Sequence, residues 1–208
     1  MNVLVVDDHA VVRLGLKQLV ADACPYAKLA EAATAAEALT KFDGAQWDLV
    51  ILDVNLPDQS GLEVLKAMRA RNAGLPVMML SLHPEEQYAL RALKAGAAAY
   101  LTKERAPEEL ATAIKQAMAG RRFITPEVAE RLAAVAFSPS DQFPHERLSD
   151  REFQVLCAIG QGKTVSAIAS DLSLSVKTVS TYRTRLLEKL QMRNTTELIR
   201  YTLEHALG

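Results

Sequence analysis

Five side chains stand where they could do chemistry together. Asp7 and Asp8 follow the apolar run Val3–Val6, Asp53 follows Leu49–Leu52, Ser81 follows Val77–Leu80, and Lys103 comes just after Ala99–Leu101. Three carboxylates gathered at one place repel one another unless a cation joins them. An all-oxygen ligand set with positions left for water and phosphate suits Mg²⁺. A carboxylate is also a nucleophile that can form an acyl phosphate. Phosphoryl transfer then asks mainly for positioning and charge neutralisation, which Mg²⁺ and the Lys103 ammonium would supply. The Ser81 hydroxyl could donate to a phosphoryl oxygen.

Those residues meet only if the apolar runs are parallel strands of one sheet. The runs Val3–Val6, Lys28–Ala30, Leu49–Leu52, Val77–Leu80 and Ala99–Leu101 are short and apolar, as buried parallel strands are. Helical patterns lie between them, carried by Val11, Leu14, Leu16 and Leu19, by Leu62, Leu65 and Met68, by Tyr88, Ala89 and Leu93, and by Leu110, Ile114 and Met118. Five βα units predict a doubly wound five-stranded parallel sheet over residues 1–120. Ligands of such sheets bind at the carboxyl ends of the strands, where all five polar residues fall.

The rest of the chain differs. Over residues 121–147, Thr125-Pro126-Glu127 reads as a helix start with Thr125 as cap, and that short helix fades near Phe137. The stretch Ser138-Pro139-Ser140-Asp141-Gln142-Phe143-Pro144 reads as a mobile interdomain linker. Residues 148–208 hold no strand pattern and predict four helices. Ser149 to Glu152 form a capping box before Phe153, Leu156 and Ile159. A second helix runs from Val165 to Leu172, a turn follows at Ser173-Leu174-Ser175, and a long third helix extends to Leu190. This is a helix-turn-helix arrangement.

The third helix concentrates charge. From Ser175 to Arg193 there are five cations, Lys177, Arg183, Arg185, Lys189 and Arg193, against the single anion Glu188, a local net of +4. The whole chain of 208 residues carries −1. A uniformly basic nucleic-acid binder is therefore excluded, while a local DNA-binding stripe is not. With Val179, Leu186 and Leu190 buried, Lys177, Ser180, Thr181 and Thr184 lie elsewhere on the helix and could reach bases or phosphates, and Arg183 and Arg185 suit phosphates.

Other classes fit less well. No GxGxxG follows the first run and no P-loop is present. An aspartate phosphatase of the haloacid dehalogenase type needs a second carboxylate two positions after its nucleophile, and that position holds Asn55. Cys24 and Cys157 match no metal-binding spacing and read as inert thiols in a reducing cytosol. No apolar run approaches the roughly 20 residues of a membrane span, and no signal peptide is evident. The expected location is the cytoplasm. A signalling adaptor that dimerises without DNA is the alternative from another class, and the basic third helix favours DNA.

Residues 1–120 resemble the receiver domain of two-component signalling, through Val5-Val6-Asp7-Asp8-His9, Leu52-Asp53-Val54-Asn55-Leu56-Pro57, Gly61-Leu62, Leu80-Ser81 and Lys94-Ala95-Gly96 leading to Tyr100-Leu101-Thr102-Lys103. Residues 148–208 resemble the LuxR-type effector domain of the NarL/FixJ response regulators, through Leu148-Ser149, Arg151-Glu152, Gly162-Lys163, Ile168-Ala169, Lys177-Thr178-Val179, Arg185 and Glu197-Leu198. The resemblance implies that Asp53 is the phosphoacceptor and that Asp8, Asp53 and the Asn55 carbonyl bind Mg²⁺, with Asp7 acting through water. It implies Ser81 and Tyr100 as a switch pair and Lys103 as the phosphoryl-sensing cation. On the third C-terminal helix it implies DNA contacts from among Lys177, Thr178, Ser180, Thr181, Arg183, Thr184 and Arg185. It also implies a sensor histidine kinase or phosphotransfer protein as donor, double-stranded DNA as target, and a homodimer when phosphorylated. Three departures stand out: Leu82 where many receivers have a small residue, Glu104 where many have proline, and Ser173 where many effector domains have Gly or Asn.

Overall fold

The computed structural model describes residues 1–82, 85–137, 143–205 and 207. Residues 138–142 of the expected linker thus lie outside the described residues. The chain forms two compact units, Met1–Glu130 and Arg131–Gly208.

In the first unit, five strands form one parallel sheet: β1 Asn2–Val6, β2 Lys28–Ala32, β3 Leu49–Asp53, β4 Val77–Ser81 and β5 Ala99–Thr102. Their order is β2-β1-β3-β4-β5. The chain steps outward from β1 to β2, then returns past β1 to lay down β3. The order reverses between β1 and β3, which opens a crevice at their carboxyl ends. Register pairs Val6 with Leu52, so Asp7 and Asp53 follow on neighbouring strands at that crevice.

Helices α1 Ala10–Ala23, α2 Ala35–Gly44, α3 Gly61–Arg71, α4 Glu85–Lys94 and α5 Ala106–Met118 connect and follow the strands. The inner strands are apolar throughout because both faces are covered. Val3, Val5, Leu49, Ile51, Met78 and Leu80 pack with Leu16 and Val20 of α1 and Leu110 and Ile114 of α5. The apolar pattern of α1 misled in part. Val11 and Leu14 are exposed and Leu19 is only partly buried, while Leu16 and Val20, one turn apart, face the sheet. Helix α2 is rich in alanine and offered no clear stripe. Thr34 caps it by accepting from Glu37 N at 3.1 Å, and Asp58 accepts from Ala35 N and Ala36 N at 2.8 and 2.9 Å. Helix α6, Pro126–Phe137, starts on Thr125, whose hydroxyl accepts from Val128 N at 3.4 Å, as expected for its cap.

The second unit is helical. A 3₁₀ turn over Pro144–Arg147, within the stretch read as linker, precedes α7 Asp150–Gly160, α8 Val165–Asp171, α9 Val176–Lys189 and α10 Thr195–Glu204. Each of these four helices has a polar cap, from Ser149, Thr164, Ser175 and Asn194, accepting from the amide three residues on. The capping box of Ser149 and Glu152 is complete. At Thr164 the reciprocal half is missing because Ala167 has no carboxylate to return. Phe153, Leu156, Ile168, Val179, Leu186 and Leu198 are buried, and Gly160 lies against Thr202: a Cβ on Gly160 would lie 2.4 Å from Thr202 Oγ1. Gly160 thus serves the close approach of α7 and α10.

Three helices of this unit end alike, with a left-handed residue and a bond from the next amide back to the helix. Gly162 (φ 76°) does this after α7, Ser173 (φ 52°) after α8 and Gln191 (φ 56°) after α9. The returning bonds are Lys163 N to Ala158 O at 3.1 Å, Leu174 N to Ala169 O at 2.8 Å and Met192 N to Leu187 O at 2.8 Å. Only glycine adopts this backbone without a steric cost, which for other residues is about 1–2 kcal/mol. Ser173→Gly is therefore expected to raise stability by about 1 kcal/mol, read as a higher urea midpoint at unchanged m-value.

Candidate functional site

The site assembles at the crevice. Asp7 and Ser81 are fully buried and Asp53 is 2% exposed, while Asp8 lies at the exposed rim. Lys103 reaches across from the end of β5. Its Nζ lies 2.6 Å from Asp7 Oδ2 and 2.8 Å from Asp53 Oδ2. The backbone places it there, since Lys103 N donates to Ser81 O at 2.8 Å. That bond also brings Ser81 beside the acids, one residue past Leu80, which is opposite Asp53 in the register. Tyr100, on β5, is buried. Leu82 is exposed.

Burial pushes the Asp53 carboxyl up, the Lys103 ammonium opposes this, and Asp7 repulsion adds to it, leaving Asp53 at about 7. The Asn55 backbone also hydrogen-bonds to Asp53 and favours its charged form. For Lys103, burial works against the charge, but the Asp53 and Asp7 carboxylates outweigh it and raise its pKa. Lys103 therefore stays an ammonium at neutral pH.

Ligand atoms of Asp7, Asp8, His9 and Asp53 all lie within 4.8 Å of one another. Asp7 Oδ2 is buried and faces the Lys103 ammonium at 2.6 Å. Three carboxylates brought together and open to solvent at Asp8 match the Mg²⁺ preference for oxygen ligands with retained water. His9 was not singled out from the sequence. It caps α1 without a side-chain cap bond because its ring turns to Asp8, with Nδ1 2.6 Å from Oδ1.

Other supports of the site carried little signal in the sequence. Arg13 Nη1 donates to Asp7 O at 2.7 Å, and its Nε pairs with Glu31 at 3.2 Å, fixing the turn that presents the acids. Gly61 opens α3 beside the end of β3, where a Cβ would fall 1.9 Å from Asp53 O. Glycine is a poor helix former, so its place right after the Ser60 cap was the one readable hint. Asp58 ties the loop after Asp53 to the start of α2.

In the second unit, α8, the turn and α9 form the helix-turn-helix. Lys177, Thr181, Thr184 and Arg185 are exposed, and Thr178, Ser180 and Arg183 are half-buried. Thr178 takes part in the cap of α9, with its hydroxyl 2.8 Å from Ser175 Oγ. Lys189 is held by Glu152 at 2.7 Å. Burial pushes the Glu152 carboxyl up, but Lys189 and Ser149 outweigh it and hold its pKa low. Arg193 falls beyond the end of α9, and of the four cations on the helix itself Lys189 is thus committed to the fold of the unit. Among the described residues no helix is long and apolar enough to cross a membrane.

Two family models match the chain. Residues 3–115 match the response regulator receiver domain, and residues 146–202 match the bacterial regulatory proteins of the luxR family. Response regulator UvrY of Escherichia coli K12 is 33% identical over 208 residues, covering all of this chain and 95% of that protein. Response regulator GacA of Pseudomonas aeruginosa is 35% identical, covering all of this chain and 97% of that one. In structure, RcsB from Salmonella enterica serovar Typhimurium, solved bound to promoter rprA with the phosphomimetic BeF3-, aligns over 97% of this chain and 98% of its own, with a TM-score of 0.63 at 22% identity, a likeness of fold.

The chain belongs to the response regulators of the NarL/FixJ family, with a receiver domain and a LuxR-type helix-turn-helix. It is a phosphorylation-controlled, DNA-binding regulator of transcription, and its family is one of regulators, not of enzymes.

Proposed function

We propose that Asp53 receives the phosphoryl group, that Ser81, Lys103 and Tyr100 sense it, and that phosphorylation strengthens DNA binding through α9 by pairing two chains. The observation that carries the assignment is Lys103 Nζ lying between Asp7 and Asp53 in a buried acidic crevice. A carboxylate oxygen of Asp53 attacks phosphorus, the bond from phosphorus to the leaving group breaks, and the leaving group departs with that electron pair. Lys103 and the Ser81 hydroxyl are placed to take the phosphoryl oxygens. Asp7, Asp8, Asp53 and the Asn55 carbonyl are the residues that would hold Mg²⁺, which supplies neutralisation of the phosphoryl charge. The donor is a sensor histidine kinase or phosphotransfer protein, the target is double-stranded DNA, and the place of action is the cytoplasm.

We assign residues 1–120 to reception, 121–147 to the connection and 148–208 to DNA. Lys177, Thr178, Ser180, Thr181, Arg183, Thr184 and Arg185 are the proposed DNA contacts. Incubation with a small acyl phosphate and Mg²⁺ should add the mass of one phosphoryl group, and chelation should prevent it. An unmodified mass under conditions that label another receiver protein would refute the assignment.

Lys103 is a sensor on this reading, not an acceptor. Lys103→Ala should still take up some label, since the nucleophile remains. Its DNA affinity should no longer rise on phosphorylation, because the cation that would turn toward the phosphoryl group is gone. Normal phosphorylation-dependent binding by Lys103→Ala would contradict the role.

A further inference from the structure

The outward side of α9 carries two threonine methyl groups among the charged side chains Lys177, Arg185 and Glu188. Val179 and Leu186 are its buried side. Away from them lie Lys177, Thr181 and Thr184, all exposed, with Ser180 at the flank. Val176, the first residue of the helix, is 51% exposed, an apolar side chain that the core of the unit does not use. The threonine hydroxyls are turned back on the helix. Thr181 Oγ1 donates to Lys177 O at 3.0 Å and Thr184 Oγ1 to Ser180 O at 3.2 Å. Each hydroxyl proton is thereby committed to the backbone, and the Cγ2 methyl is the group each threonine offers outward.

The groups that usually read purines are scarce here. Guanine is commonly read by an arginine or lysine and adenine by an asparagine or glutamine, each best through a two-pronged contact. Over 176–185 the forked side chains are Arg183, which is half-buried and has its Nε buried, and Arg185, which is exposed at the end of the stretch beyond Thr184. Lys177 and Arg185 are the exposed cations of that stretch, and both suit a phosphate as well as a base. Thymine is the base that displays a methyl group in the major groove, and a threonine methyl can pack against it.

We propose that α9 recognises thymine through its C5 methyl group, with Val176, Thr181 and Thr184 supplying the apolar contact. This rests on α9 being the DNA-reading helix. It adds the chemical class of base that is read and brings in Val176 as a residue that sets specificity.

Replacing thymine by uracil tests this directly, since uracil keeps every hydrogen-bonding group and loses only the methyl. Duplexes are first enriched from random DNA with the phosphorylated full chain. The enriched duplex is then remade with deoxyuridine at one thymine position at a time. Binding should weaken about fourfold at each contacted thymine, the cost of one methyl taken from apolar contact. Thr181→Ser and Thr184→Ser keep the back-bonded hydroxyl and remove the methyl, and Val176→Ala shortens the third contact. Each should bring the thymine-to-uracil ratio to one at its own position, with an unchanged melting temperature reporting an intact fold. Equal binding of the thymine and uracil duplexes at every position would overturn the proposal. So would serine variants that keep the full ratio. Failure to enrich any duplex would bring down the DNA-reading assignment itself, which separates the two failures.

Discussion

Asp53→Asn, given a small acyl phosphate and Mg²⁺, should keep its unmodified mass while the parent chain gains one phosphoryl group. The amide cannot act as the nucleophile, and the other carboxylates of the crevice are poorly placed to replace it. Asp7 is buried against Lys103 and His9 N, and Asp8 is turned to the His9 ring. Labelling that persists stoichiometrically in Asp53→Asn would move the acceptor elsewhere. The same variant has an expected signature in stability. Asp53 sits at about 7 in the folded chain, against about 3.9 for an unperturbed aspartate. The folded state therefore holds this proton more tightly than the unfolded state, and without metal the stability falls as pH rises from about 4 to about 7. Asparagine removes that buried charge. Metal-free Asp53→Asn should melt above the metal-free parent at neutral pH, by about 2–4 °C for each kcal/mol gained. The difference should vanish toward pH 4, where both chains are neutral at this position. Added Mg²⁺ should stabilise the parent much more than the variant, because binding to the folded state alone raises stability.

Phosphorylated chain should bind two properly spaced half-sites roughly 10²–10⁴-fold more tightly than one, the range that avidity supplies where geometry allows. One helix-turn-helix has few contacts of its own, and its basic stripe gives binding that weakens steeply with salt. The surfaces that would pair are apolar and exposed: Val11 and Leu14 on α1, Met118 on α5, and Leu203 on α10, with exposures of 83, 67, 45 and 67%. Leu14→Glu should accept the phosphoryl group normally, since the side chain is exposed and is not among the residues of the acidic cluster. It should remain monomeric in sedimentation and lose most of the preference for paired sites. Phosphorylated parent that stays monomeric at micromolar concentration and binds single and paired sites equally would rule out this mechanism. Tighter binding by an unchanged monomer would point instead to release of the DNA-binding unit by the receiver.

Much of the reacting site was legible because strand ends are legible. In a doubly wound sheet the residue after an apolar run points to one rim, so Asp7, Asp53, Ser81 and Lys103 could be expected to meet before any distance was known. The supports were not legible in the same way. Arg13 acts through a backbone carbonyl six residues away, and Asp58 caps a helix 22 and 23 positions earlier in the chain. Side chains that bond to backbone carry no pairing signal, because any residue can stand opposite them. Gly61 reads as a weak helix former until the 1.9 Å approach to Asp53 O explains it.

The sequence by itself determined the architecture and which side chains gather at the crevice. Apolar runs of strand length demand burial on both faces, and cap residues such as Thr125, Ser149 and Ser175 start helices by local hydrogen bonds that need no distant partner. Only the tertiary structure decided which of several similar residues do which work. Val11, Leu14, Leu110, Ile114 and Met118 look alike as members of amphipathic helices, yet Leu110 and Ile114 fill the core while Val11, Leu14 and Met118 remain exposed. Four cations crowd the third C-terminal helix, yet Lys189 pairs with Glu152, 37 residues away in the chain. The physical reason is common to both cases. Periodicity and charge are properties of a helix taken alone, whereas burial and pairing depend on the rotation of that helix against neighbours from distant parts of the chain.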